Sequence, residues 1–231
     1  MKNFCFAIFV IISFIVFPLS TSTSAVEISA GVSTWYTYWK FTDNENMDMK
    51  PNFMYGPALS LRLTDNWSIA GVFLYGKFNN EGSDNPDYLS RYDLDISLNY
   101  NFNRYFKIFG GGKILAFTWK EDGTTRKHWS AGPGLGIGTT LPITSNIFFL
   151  FNVSGTYTKG NHENGNKPDD KLTETGINTT AAFAYYIASA TTSINLGFRY
   201  QYIYMNYATE DSNSDEGMRF YGVTLSAVYT F

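Results

Sequence analysis

The sequence predicts an all-β fold: a closed antiparallel up-and-down transmembrane β-barrel of ten strands. Three observations lead there. Apolar and polar residues alternate in about ten stretches, and a period of two puts one set on each face of a strand. The connections between those stretches are short and long by turns. Aromatic residues make up 18% of the chain and charged residues only 16%, a balance that suits an apolar wall with two interfacial aromatic girdles.

Residues 1–25 read as a secretory signal peptide. Lys2 precedes an apolar run from Phe4 to Leu19, and the small residues Thr23, Ser24 and Ala25 suit cleavage after Ala25. The run is shorter than the ~20 residues of a spanning helix. Cys5 is the only cysteine and would leave with the signal, so no disulfide, cysteine metal site or cysteine nucleophile is expected in the mature chain. Residues 26–231 then form one barrel. Its predicted strands are 27–41, 52–63, 67–78, 88–102, 106–120, 128–141, 147–159, 172–187, 193–207 and 218–231. In the fourth, Tyr92, Leu94, Ile96, Leu98 and Tyr100 alternate with Arg91, Asp93, Asp95, Ser97 and Asn99. In the ninth, Ile194, Leu196, Phe198 and Tyr200 alternate with Ser193, Asn195, Gly197 and Arg199. In the tenth, Tyr221, Val223, Leu225, Ala227, Tyr229 and Phe231 alternate with small or polar residues.

The connections 64–66, 103–105, 142–146 and 188–192 are short, whereas 42–51, 79–87, 121–127, 160–171 and 208–217 are longer and polar. Short turns at one end and long loops at the other is the layout of an outer-membrane barrel. Hydrocarbon satisfies no backbone N–H or C=O, so the first strand must pair with the last. On this pattern, and on the terminal run Leu225-x-Ala227-x-Tyr229-x-Phe231, the chain resembles bacterial outer-membrane β-barrel proteins over residues 26–231. The terminal run is similar to the signal by which the barrel-assembly machinery recognises its clients. The resemblance implies an outer-membrane location and a monomer.

Charge sorts by position. The five long connections carry 15 acids and five bases, while the remaining wall is net positive. Lys40, Lys77, Lys120 and Lys159 each end an upward strand, and Arg219 begins the last downward one. All five are expected on the outer face at the extracellular rim. There they form a collar that either binds lipopolysaccharide phosphates or only snorkels from the apolar wall. The basic residues form no patch for nucleic acid. No loop has EF-hand spacing, so neither a metal site nor a cofactor is expected.

Inside, Arg62, Asp93, Asp95, Lys113, Glu174 and Arg199 are expected to form a charge network, with Glu27, Arg91 and Lys107 also facing inward. If Phe102 pairs with Phe106, Asp95 stands opposite Lys113, and opposite charges there stabilise each other. Such charges either plug the bore or line a narrow porin-like path. Ten strands enclose little more than the eight-strand case that side chains fill, which favours the plug. Gly132, Gly134, Gly136 and Gly138 are expected to leave room for Leu115, Phe117 and Trp119.

Two short patterns resemble catalytic pairs. His128-x-Ser130 is similar to the His-x-Ser pair of outer-membrane phospholipase A and lipid A deacylases. Ser130 would be nucleophile and His128 base, with Gly160 opposite His128 and Asn161 or Glu163 orienting the ring. The flanking Ala131-Gly132-Pro133-Gly134 departs from those enzymes. Asp93-x-Asp95 resembles the paired aspartates of omptin proteases, but His128 and His162 lack an Asp two residues earlier. The expectation is a non-enzymatic surface protein presenting acidic loops, with the channel and the lipid hydrolase as alternatives.

Overall fold

The computed structural model describes residues 26–42, 48–80, 88–121, 124–164, 170–207 and 216–231. The expected signal peptide, its cleavage site and the tips of the five long connections lie outside the described residues.

Ten strands follow in order: β1 (Glu27–Phe41), β2 (Met49–Arg62), β3 (Trp67–Asn79), β4 (Tyr88–Asn101), β5 (Phe106–Glu121), β6 (Thr124–Pro142), β7 (Ile147–Asn164), β8 (Asp170–Ile187), β9 (Thr192–Tyr207) and β10 (Glu216–Thr230). Each pairs antiparallel with its sequence neighbours, and β1 pairs with β10 from Ser29↔Thr230 to Phe41↔Met218. The sheet is therefore closed and has no edge. A backbone bond from Phe231 N to Ile28 O (2.9 Å) extends the seam to the chain end.

Three of the four short turns use one device. A side-chain oxygen accepts the amides two and three residues on: Thr64 from Asn66 and Trp67, Asn103 from Tyr105 and Phe106, Thr144 from Asn146 and Ile147. Thr and Asn are suited to this because their short side chains reach the backbone ahead of them. The fourth turn is a 3-10 turn at Ala188–Ala190, closed by Thr191 at φ 42°.

Outward residues are bare. Leu135 is 74% exposed, Leu196 56% and Val223 49%, and no second layer among the described residues covers them. On a closed wall this is a lipid-facing belt. Aromatic rings gather at both its ends: Trp67, Tyr100 and Phe102 in contact at the short-turn end, Tyr38 stacked on Tyr221 toward the long-connection end.

Several strands run higher than their sequence pattern predicts. β2 begins at Met49 rather than 52, β6 at Thr124 rather than 128, and β8 at Asp170 rather than 172, while β7 continues to Asn164 rather than 159. Most of the expected loops 121–127 and 160–171 is thus paired strand, including His128↔His162 and Trp129↔Asn161. The added segments carry polar residues on both faces, such as Arg126, Lys127, Asn161 and His162, so the backbone pairs without any apolar alternation to mark it. This also corrects the register. His128 faces His162, and Gly160 faces Ser130.

The core lies inside the wall. Trp35, Trp39, Met54, Leu74, Phe78, Leu115, Phe117, Ile203 and Phe220 are buried together in the half of the bore nearest the long connections. The other half is lined by small residues such as Ser29, Gly31, Gly134 and Gly197, which stand on the same faces. The expected partners of the β6 glycines are corrected too. Phe109 leans over Gly136 and Lys107 over Gly138, whereas Leu115 and Phe117 stand opposite Ser130 and His128.

Candidate functional site

The middle of the bore holds an ion network built from β4, β5 and β9. Asp93 accepts from Arg91 Nη2 at 2.7 Å and also holds Lys113. Lys113 reaches Asp95 at 3.0 Å, and Arg199 reaches the other Asp95 oxygen at 2.9 Å. Asp95 does stand opposite Lys113 in the β4–β5 register. Arg199 Nε donates to Asn178 (3.0 Å), and Arg91 Nη2 donates to Gln201 (2.6 Å). In the ring of ten, β4 and β9 are diametrically opposed. Arg199–Asp95 and Arg91–Gln201 are therefore struts across the full bore.

Three cations face two carboxylates here, and aromatic rings take up part of the excess. The Arg91 guanidinium lies 3.7 Å from the Phe220 ring centre and 5.3 Å from that of Trp35. Arg199 lies 4.6 Å from Trp35. Ring faces carry negative potential and stabilise a desolvated cation. Arg91 Nε and Nη1, fully buried, have no hydrogen-bond acceptor, and the rings stand in that role. Directly beyond, Trp39 contacts Phe78, Phe117 and Phe220 at centroid distances of 5.4, 5.0 and 4.9 Å. This aromatic layer also spans the bore, since β5 and β10 are opposed.

Two residues of the expected network lie apart from it. Arg62 pairs with Glu27 at 3.2 Å at the short-turn end, with its side chain 60% exposed. Glu174 forms a separate buried cluster. His128 Nε2 stands 2.7 Å from one carboxylate oxygen, while Thr158 (2.6 Å) and Ser130 donate to the other. Both Ser130 and His128 thus turn to Glu174, and Ser130 is wholly buried. Glu174 replaces the expected Asn161 or Glu163 as the partner of the imidazole. A serine that donates to a carboxylate rather than to a histidine is not arranged as a nucleophile with its base.

The outer rim carries the cations. Strand register puts Lys40, Lys77, Lys159 and Arg219 on the outward face, with Lys40 opposite Arg219 across the seam. Lys120 falls on the same face of β5, but its side chain lies outside the described residues. Lys40 is held by Asp48 at 2.8 Å. Lys77 leans over Tyr88 at 4.7 Å, and Lys159 over Tyr157 at 5.8 Å. The rim also includes Lys171, on the outward face of β8 opposite Asn161, which the sequence pattern assigned to a loop.

Asn178, and the rings of Trp39, Phe78 and Phe220 packed around Phe117, were not anticipated as parts of the bore. One signal was present: at Trp35–Trp39 both faces of β1 carry large rings, which a water-filled lumen would not require.

A closed ten-strand antiparallel wall, apolar outside and polar or packed within, defines a bacterial outer-membrane β-barrel. Among solved structures the chain is similar in fold to the outer membrane protease OmpT from Escherichia coli (TM-score 0.54, 14% identity, covering 92% of this chain and 100% of that one). Also matched are neisserial surface protein A (TM-score 0.45, 13% identity, 91% and 100% covered) and the Pseudomonas putida toluene transporter TodX (0.36, 7%, 90% and 90%). No protein-family model matches the sequence, and no curated protein does.

Proposed function

We propose that the protein is a non-enzymatic surface barrel, exported with signal cleavage near Ala25, inserted by the barrel-assembly machinery and monomeric. It holds its acidic connections outward and binds lipopolysaccharide through the collar at its rim. The observation that carries this is one of position. Lys77, Lys159 and Arg219 stand one outward rung above Tyr75, Tyr157 and Tyr221, and none of the three pairs with a carboxylate among the described residues. A cation immediately above an aromatic girdle sits at the level of headgroup phosphates. The crossed bore supports a surface protein over a channel.

The test reverses Lys40, Lys77, Lys120, Lys159 and Arg219 to Glu and measures lipopolysaccharide retained per folded barrel after mild extraction. Retention is expected to fall; unchanged retention, or none in the wild type, removes the reading. Hydrolysis assays address the alternative enzyme. Neither phospholipid nor lipid A should be cleaved, and an activity abolished by Ser130→Ala would restore the hydrolase.

A further inference from the structure

We propose that the outer wall of β6–β8 is a seat for one lipopolysaccharide molecule, with Lys159 and Lys171 taking a phosphate and a groove below them taking an acyl chain. This rests on the collar reading and goes beyond it, because it selects one sector of the rim and adds a chain site.

Two hollows stack on this sector. The upper, about 410 Å³, is lined by Trp129, Lys159, Asn161, Lys171 and Thr173. The lower, about 500 Å³, is lined by Leu135, Gly155, Tyr157, Thr175, Ile177 and Tyr202 among others. Lys159 is the next outward residue above Tyr157, and Thr173 the next above Thr175. The two hollows are therefore consecutive along the wall, the upper cationic and the lower apolar.

The lower groove has a specific origin. Gly155 occupies an outward position, level with Leu135 and Ile177. Its missing side chain leaves a channel between them. A Cβ there would meet only the Gly176 carbonyl oxygen, at 3.9 Å, so the gap is not forced by backbone crowding.

The upper hollow has the charge to match. Lys159 and Lys171 are diagonal neighbours across β7 and β8, since Lys159 faces Thr173 and Lys171 faces Asn161. Diagonal positions bring long side chains within reach of one group. Both are exposed, and neither holds an ion pair among the described residues. Lys127, two residues above Trp129, is engaged by Glu163 at 3.4 Å. Two ammonium groups over an apolar trough complement a phosphorylated headgroup whose chain runs down into the bilayer. Trp129 beside them, 46% exposed, offers a face to a sugar ring.

The experiment is native mass spectrometry of the full-length barrel, extracted in dodecyl maltoside and challenged with rough-type lipopolysaccharide. The wild type should hold one molecule. Lys159→Gln with Lys171→Gln should weaken retention at least about tenfold, as loss of charge-assisted bonds does. Gly155→Leu should do the same by filling the trough. Gly71→Leu is the control: it is outward on β3, with its nearest Cβ neighbour at 3.8 Å, and should change nothing. A heat-modifiable gel shift confirms that each variant is folded. If the two variants bind as wild type while reversal of the whole collar abolishes binding, the seat is wrong and the collar stands. No retention by the wild type removes both. Equal retention of phosphatidylglycerol overturns the glycolipid, and wild-type dimers that Gly155→Leu separates would make this face a contact between copies.

Discussion

At the scale of single residues, two ion pairs of the same chemistry have very different weight. Asp93 is 1% exposed and answers Arg91 and Lys113. Asp93→Ala would leave two buried cations short of a carboxylate, and breaking a buried pair costs about 3–5 kcal/mol. Glu27 and Arg62 are 39% and 60% exposed, so water already screens them, and Glu27→Ala should cost less than about 1 kcal/mol. Guanidinium unfolding in micelles, read by tryptophan fluorescence, should separate the two variants; comparable losses would mean the network is not desolvated. The sequence made part of this legible. Asp95–Lys113 follows from a tight turn and a register, both local. Arg199–Asp95 does not, because it joins strands that are distant in sequence and are brought face to face only by the number of strands and their closure. Glu174–His128 escaped for a similar reason: β6 and β8 are not adjacent, and Thr158 on β7 lies between their partners.

At the scale of an element, β6 shows what alternation reveals and what it hides. Its membrane-depth segment is plain in sequence, with Leu135 and Ile137 outward and glycines inward. Its upper segment from Thr124 is not, since Thr124, Thr125, Arg126, Lys127 and His128 are polar on both faces and leave no apolar period. The glycines make room, though for different neighbours than the sequence indicates, because the β5–β6 register, with Phe106 opposite Thr139, sets Phe109 rather than Phe117 beside them. At Gly136 a Cβ would run into the Phe109 ring and come within 2.6 Å of the Val153 carbonyl oxygen. Gly136→Val should therefore destabilise by about 1–3 kcal/mol through overpacking. Gly112, outward on β5, meets only the Gly132 carbonyl oxygen at 3.9 Å, and Gly112→Ala should be neutral. Folded fraction on heat-modifiable gels after refolding into micelles tests both, and a well-folded Gly136→Val would mean that Phe109 has another place to go.

At the scale of the whole molecule, the closed wall explains why so few charges can govern the bore. Ten strands leave a gap that two pairs of side chains span, Arg199–Asp95 and Arg91–Gln201, and the aromatic layer of Trp39, Phe117 and Phe220 closes the same gap a few ångströms further along. Small residues line the short-turn half of the bore, and the network and the rings stand in series beyond them. Barriers in series add, so a solute must pass both layers. In planar bilayers the wild type should show no discrete conductance steps. Asp95→Ala with Arg199→Ala removes one strut but leaves the rings, and should also stay silent. Trp39→Ala with Phe220→Ala thins the rings but leaves the ions, whose charges then meet water and repel or bind permeating ions in turn. Steady openings are expected only when both layers are removed in a barrel that still folds. Steps in the wild type would mean that the struts part at equilibrium, and would favour the narrow channel over the surface protein.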